Sequence, residues 1–171
     1  QVIWSFASAK SGGTTRFACI TASVGDVYNI VMPWEYYNFA KGIYTMDNDN
    51  GTWISRSTGV NFSSDFLMYA AMAGNDINTI YLGGHDEALS APLVYKSADA
   101  GVTWNKVFNT TNNANIITGW EGAGGDKAWS WSENCFGITV APNNSNKVLF
   151  GSFSNVQSTT DGGVTWKQAY V

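Results

Sequence analysis

Charge is scarce in this chain: only 13% of its 171 residues are Asp, Glu, Lys or Arg, and the formal net charge is -4. No basic cluster exists, and the mild acidity argues against nucleic acid as the main partner. No run of about 18 apolar residues occurs, so no membrane-spanning helix is expected. Histidine occurs once, at His85. One histidine does not make an ordinary zinc ligand set, and Cys19 and Cys135 are not spaced as a ligand pair. No nucleophile-elbow sequence accompanies His85-Asp86, so a serine triad is not supported, and His85 in Gly83-Gly84-His85-Asp86-Glu87 reads as a loop residue. Asp47-Asn48-Asp49-Asn50-Gly51 mimics a calcium loop, but its glycine comes one position early for an EF-hand and no Glu follows at the right distance. Neither metal nor cofactor is expected.

What is abundant points elsewhere. Glycine numbers 18 and aromatic residues make up 15% of the chain. Many Gly, Thr, Ser, Asn and Trp with few charges fit an all-β, turn-rich, secreted protein better than a helical one. The length suggests one domain. The chain starts at Gln1 without Met or a signal sequence, which suggests a processed or excised product. Asn61-Phe62-Ser63, Asn109-Thr110-Thr111 and Asn143-Asn144-Ser145 satisfy the N-glycosylation pattern, which such a composition also yields by chance. Cys19 and Cys135 admit one disulfide in a secreted protein; two buried free cysteines on strands are the plainer reading.

The organising stretch occurs twice. Ser97-Ala98-Asp99-Ala100-Gly101-Val102-Thr103-Trp104 and Thr159-Thr160-Asp161-Gly162-Gly163-Val164-Thr165-Trp166 share the pattern Ser/Thr-x-Asp-x-Gly-x-Thr-Trp. A damaged third copy is Asp49-Asn50-Gly51-Thr52-Trp53. The chemistry is that of a hairpin turn. Aspartate accepts hydrogen bonds from nearby backbone N–H groups, glycine supplies positive φ, and Thr-Trp opens the outgoing strand with a large apolar surface.

These octets resemble the Asp-box, or BNR repeat, of sialidases, xyloglucanases and related secreted β-propellers. The resemblance implies an all-β propeller segment of about three four-stranded antiparallel blades. It also implies a structural role for Ser97, Asp99, Gly101, Thr103, Trp104, Thr159, Asp161, Gly163, Thr165 and Trp166, away from any catalytic face. Blade-like units are expected over about 14–58, 60–108 and 134–171, with a leading strand before them and a Trp-rich insertion at 109–133. In the first unit the strands expected are 16–22, 27–32, 42–46 and 53–56. Closed propellers typically have about four to eight blades. Three blades leave an open sheet face at each end, to be covered by the remaining blades of another chain or another copy.

The chemistry that fits best is contact with polysaccharide. Glycoside hydrolysis needs two carboxylates about 5 to 9.5 Å apart, and sugar rings stack on aromatic faces. Glu121, Asp126 and Glu133 lie in the 109–133 insertion with Trp120, Trp129 and Trp131. Glu35 lies in the other aromatic loop with Trp34, Tyr36 and Tyr37. Repeat architectures place insertions on one face, often the binding face. These four carboxylates are the catalytic candidates and the six aromatics the carbohydrate-binding candidates. A sialidase reading fares poorly, because that family grips its substrate with three arginines and only Arg16 and Arg56 are present. The paired catalytic loops of xyloglucanases are not reproduced either. The alternatives are a non-catalytic glycan- or protein-binding propeller, or a structural subunit of an extracellular assembly.

Overall fold

The computed structural model describes residues 1–25, 40–49, 51–89, 91–108, 134–152 and 156–168. Within them lie twelve strands in three four-stranded sheets. The first sheet holds β1 (Val2–Ser11), β2 (Thr14–Ala22), β3 (Ala40–Asp47) and β4 (Ile54–Ser55). The second holds β5 (Asp65–Met72), β6 (Ile80–Asp86), β7 (Ala91–Ser97) and β8 (Asn105–Phe108). The third holds β9 (Gly137–Ala141), β10 (Asn144–Gly151), β11 (Val156–Thr159) and β12 (Lys167–Gln168). Each sheet is an antiparallel meander in which sequence neighbours pair.

The first sheet starts earlier than the expected unit of 14–58. Its first strand is β1, paired with β2 from Val2↔Ala22 to Ser11↔Thr14. The physical reason is the tight turn between them: Gly12 and Gly13 take φ of 57° and 84°, which fold the chain straight back. What reads as a leading strand is thus an integral member of the sheet. The expected strand over 27–32 lies outside the described residues.

The second sheet is covered on both faces. Toward the first sheet it presents Leu67, Ile80, Leu82, Leu93, Tyr95 and Trp104, packed against Ala9, Ala18, Ile20, Ala40 and Ile43. Toward the third sheet it presents Ala71, Tyr81, Val94 and Phe108, packed against Val140, Val148, Phe150 and Trp166. Two-sided burial explains why β6 is buried at every position and why β7 opens on a continuous apolar run, Ala91 to Tyr95, rather than alternating. Phe108, Phe150 and Trp166 meet edge to face with centroids 4.7 to 5.4 Å apart. Such pairs add about 0.5–1.5 kcal/mol beyond their buried area.

The ends of the three sheets are not alike. Lys10 N–H donates to Gly74 O and Ala70 N–H to Ser5 Oγ, so β1 and β5 run in the same direction. The β1–β2, β5–β6 and β9–β10 turns and both octets therefore share one end. At the other end lie Ala22 and Ala40, Asp86 and Ala91, and Phe108 and Gly137.

Candidate functional site

The two octets have one construction. Ser97 Oγ donates to Asp99 Oδ1 at 2.8 Å and accepts from Gly101 N–H at 2.7 Å. Asp99 Oδ1 accepts from Thr103 N–H at 2.8 Å, and Oδ2 from the Thr103 hydroxyl at 2.6 Å. Thr159, Asp161, Gly163 and Thr165 repeat every one of these bonds. Hydrogen bonds from the threonine, first its hydroxyl and then its N–H, hold each carboxyl down to about 2. Both oxygens of each carboxylate are engaged by their own turn, so neither is poised for proton transfer to a substrate. The tryptophan closing each octet reaches into the preceding sheet: Trp104 Nε1–H donates to Arg56 O and Trp166 Nε1–H to Val107 O, each at 2.7 Å.

The first sheet's corresponding turn is built otherwise. Asp47 forms a two-bond pair with Arg16, Nε–Oδ1 at 2.6 Å and Nη2–Oδ2 at 2.7 Å, and Arg16 also donates to Ile77 O. The hydrogen bond from Arg16 lowers the Asp47 pKa. Asn48, at φ 59°, takes the turn's strained position.

The opposite end carries the charged cluster. Asp65 begins β5 and Asp86 ends β6, directly opposite each other in register. Both are buried. Lys106, on β8, donates to Asp65 Oδ1 at 2.9 Å and Asp86 Oδ2 at 3.0 Å. The Tyr95 hydroxyl donates to Asp65 Oδ2 at 2.5 Å. Burial pulls the Lys106 ammonium down, but hydrogen bonds and charge from the two aspartates more than offset this, and its pKa ends above the ordinary value. Burial and then the Asp65 contact push the Tyr95 phenol up. His85 Nε2 sits 3.3 Å from Glu87 Oε2. His85 is wholly buried on β6, so the loop reading is corrected. The glycines before it serve strand packing: a Cβ at Gly84 would lie 2.1 Å from Phe66 O, and one at Gly83 would lie 2.5 Å from Cys135 Sγ.

Two buried carboxylates sharing one ammonium form a clamp across β5, β6 and β8. Their burial leaves no room for a sugar ring between them, so the pair is not arranged for hydrolysis. It fixes the strand ends around the neighbouring connections. Nothing in the sequence spacing of Asp65, Asp86, Tyr95 and Lys106 marks them as a group. Asp65 and Lys106 are 41 residues apart, and only the register brings them together.

Glu35, Glu121, Asp126 and Glu133 lie outside the described residues, as do Trp34, Tyr36, Tyr37, Trp120, Trp129 and Trp131. The strands that flank them are described. Ala22 and Ala40 bracket the first group, Phe108 and Gly137 the second, and all four stand at the clamp end. Cys19 and Cys135 are both buried and free. Burial pushes their thiols up to about 11 and about 12. Among the described residues no group of three or more His, Cys, Asp or Glu could hold a metal ion, and no helix is long and apolar enough to cross a membrane.

No protein-family model matches the sequence, and no curated protein does. Solved structures do match. The GH74 enzyme of Niastella koreensis superposes with a TM-score of 0.58 at 21% identity, over 98% of this chain and 21% of that one. YCF48 bound to D1 peptide superposes with a TM-score of 0.53 at 12% identity, over 97% of this chain and 39% of that one. The fold is that of a β-propeller segment. Its three sheets are blades, and the chain spans about a fifth and about two-fifths of these two propeller chains. At such identities the likeness carries the fold alone.

Proposed function

We propose that this chain is part of a secreted, carbohydrate-active β-propeller that contacts polysaccharide at the clamp end of its blades. The observation that carries the reading is that the strands flanking both aromatic, carboxylate-bearing segments end on the same side of the three blades. Trp34, Tyr36, Tyr37, Trp120, Trp129 and Trp131 stack on sugar rings in this reading. The acid and base of a glycoside hydrolase come from Glu35, Glu121, Asp126 and Glu133. The engagement of the octet carboxylates by their own turns at the opposite end supports this choice of face. The likeness to a GH74 propeller enzyme supports a carbohydrate role.

A second reading, non-catalytic binding of a protein segment, is favoured by the likeness to YCF48 bound to D1 peptide. One panel separates the two. The chain is offered soluble polysaccharides, including β-glucans, with release of reducing ends and binding both measured. Turnover that disappears in Glu121→Ala, Asp126→Ala or Glu133→Ala supports the hydrolase. Binding without turnover that disappears in Trp129→Ala or Trp131→Ala supports a glycan-binding module. Neither turnover nor binding across the panel overturns the carbohydrate reading.

A further inference from the structure

The first and second blades meet differently from the second and third. Trp53, Trp104 and Trp166 hold matching places, because the residue after each is the first paired residue of its blade's fourth strand: Ile54 with Thr45, Asn105 with Lys96, Lys167 with Ser158. Three positions after the tryptophan stand Arg56 in the first blade and Val107 in the second. Two contacts confirm the match. Trp104 Nε1–H donates to Arg56 O just as Trp166 Nε1–H donates to Val107 O. A Cβ at Gly101 would lie 3.2 Å from Arg56 Cβ, and one at Gly163 would lie 2.8 Å from Val107 Cβ. One junction is thus closed by a valine and the other by the stem of an arginine. Packing accounts for the stem and leaves the guanidinium unexplained.

That guanidinium is held and only partly used. Arg56 Nε–H donates to Thr45 Oγ1 at 3.2 Å, and Thr45 is buried. The terminal nitrogens of Arg56 have no hydrogen-bond partner among the described residues. Arg56 lines a cavity of about 180 Å³ together with Arg16, Thr45, Asp47 and Thr52, polar and roomy enough for a small ion. Arg16 is the second cation there. Its side chain is 14% exposed and is tied to both oxygens of Asp47, to Ile77 O and to Asn78 Oδ1. Asp47 thus neutralises Arg16 and leaves the charge of Arg56 unmatched, in a chain whose formal net charge is -4. Arg16 bonds residues of the second blade, and the stem of Arg56 meets Gly101 of the second blade. The cavity therefore belongs to the junction of these two blades, at the octet end.

We propose that this cavity binds an oxyanion, a carboxylate, sulfate or phosphate group that accepts two parallel hydrogen bonds from the terminal nitrogens of Arg56. A guanidinium fork matches two oxygens of such a group, which a lysine does not. The bond to Thr45 fixes the fork in advance, so less side-chain freedom is lost on binding. Arg16 adds its charge, and the Thr52 hydroxyl is a further donor in the wall of the cavity. The second junction, with Val107 in place of Arg56, has no such fork. The inference is independent of the carbohydrate reading: it concerns the opposite end of the blades, and its test uses no sugar.

The test is a magnetic-resonance titration of the nitrogen-labelled chain. Arg16 and Arg56 are its only arginines, so two arginine Nε–Hε signals are expected, and Arg56→Val assigns them. Sodium sulfate, phosphate and acetate are added separately at constant ionic strength, with chloride as the balancing ion. The expected result is a saturable shift of both signals with one dissociation constant. Preference for sulfate or phosphate assigns a tetrahedral ligand group, and preference for acetate a carboxylate. Arg56→Val installs the residue the next junction already uses, and it is expected to weaken binding about tenfold or more. Arg56→Lys keeps the charge and loses the fork; it is expected to weaken binding as well, and it serves alone should Arg56→Val lose its circular-dichroism signature. A linear drift without saturation in the wild type overturns the inference. So does saturable binding that is unchanged in the folded Arg56 variants.

Discussion

Replacing Lys106 by methionine tests whether the charged clamp supports the blade. The substitution keeps the stem and removes the ammonium, so two charge-assisted hydrogen bonds of 2.9 and 3.0 Å vanish together. What remains is worse than a lost bond, because Asp65 is fully buried and Asp86 nearly so. Removing one partner of a buried ion pair costs about 3–5 kcal/mol, since the other charge is left uncompensated. Lys106 itself keeps 29% of its side chain in solvent, and Tyr95 still donates to Asp65, so the low end, about 3 kcal/mol, is expected. For a chain of this size that is a fall in Tm of about 6–12 °C. The assay is thermal and urea unfolding of Lys106→Met beside Asp65→Asn/Asp86→Asn/Lys106→Met, in which no buried charge is orphaned. The triple variant is expected to recover part of the loss. The pH dependence has a fixed sign. A lysine whose pKa is raised on folding contributes stability that is fully present below its unfolded value, about 10.4, and is lost as pH rises through the folded value. The wild-type advantage over Lys106→Met therefore shrinks above about pH 10.4. A loss under about 1 kcal/mol, the size of an exposed pair, with no recovery in the triple variant, refutes the reasoning.

Two further outcomes follow from the geometry. Asp99 and Asp161 are held down to about 2 on folding, so they contribute stability above the unfolded value of about 3.9 that is lost as pH falls through the folded one; the Asp99→Asn/Asp161→Asn variant is expected to melt with a flatter dependence on pH between about 2 and 4, and an unchanged acid limb counts against the turn bonds. Gly83→Ala puts a methyl 2.5 Å from Cys135 Sγ and is expected to cost about 1–3 kcal/mol by overpacking; adding Cys135→Ala, which empties that space, is expected to return at least half of it, as read from the urea midpoint.

How much of this was legible beforehand follows from how far apart the interacting groups lie. In the octets the bonds that shape the turn join residues two to four positions apart, such as Ser97 to Asp99 and Thr103 to Asp99. A pattern in eight letters can therefore carry the whole turn, and the strands on either side were read with it. β1 was seen as a strand but not as a member of its sheet, because four strands had already been counted without it. His85 reads as a loop residue because it follows Gly83-Gly84, and a glycine pair is ordinarily conformational punctuation. Here the glycines let Phe66 O and Cys135 Sγ approach the strand, a requirement set by partners 18 or more residues away. The clamp was invisible for the same reason.

The same contrast explains the division of labour between the two ends. At the octet end each of the two octets supplies its own Asp and Ser/Thr hydrogen bonds, so a change within an octet is felt first in that turn. At the other end the strand tips of the second sheet are fastened by side chains on the strands themselves: Asp65, Asp86, Tyr95 and Lys106, joined across 20 to 41 residues of sequence. A clamp made by the strands asks nothing of the segments that join them. Loop-closure entropy in general rises only slowly with loop length. An interaction face is best built where the scaffold holds without help from the loops. Under the proposed carbohydrate reading that is the clamp end, where the sequence concentrates tryptophan and carboxylate between Phe108 and Gly137.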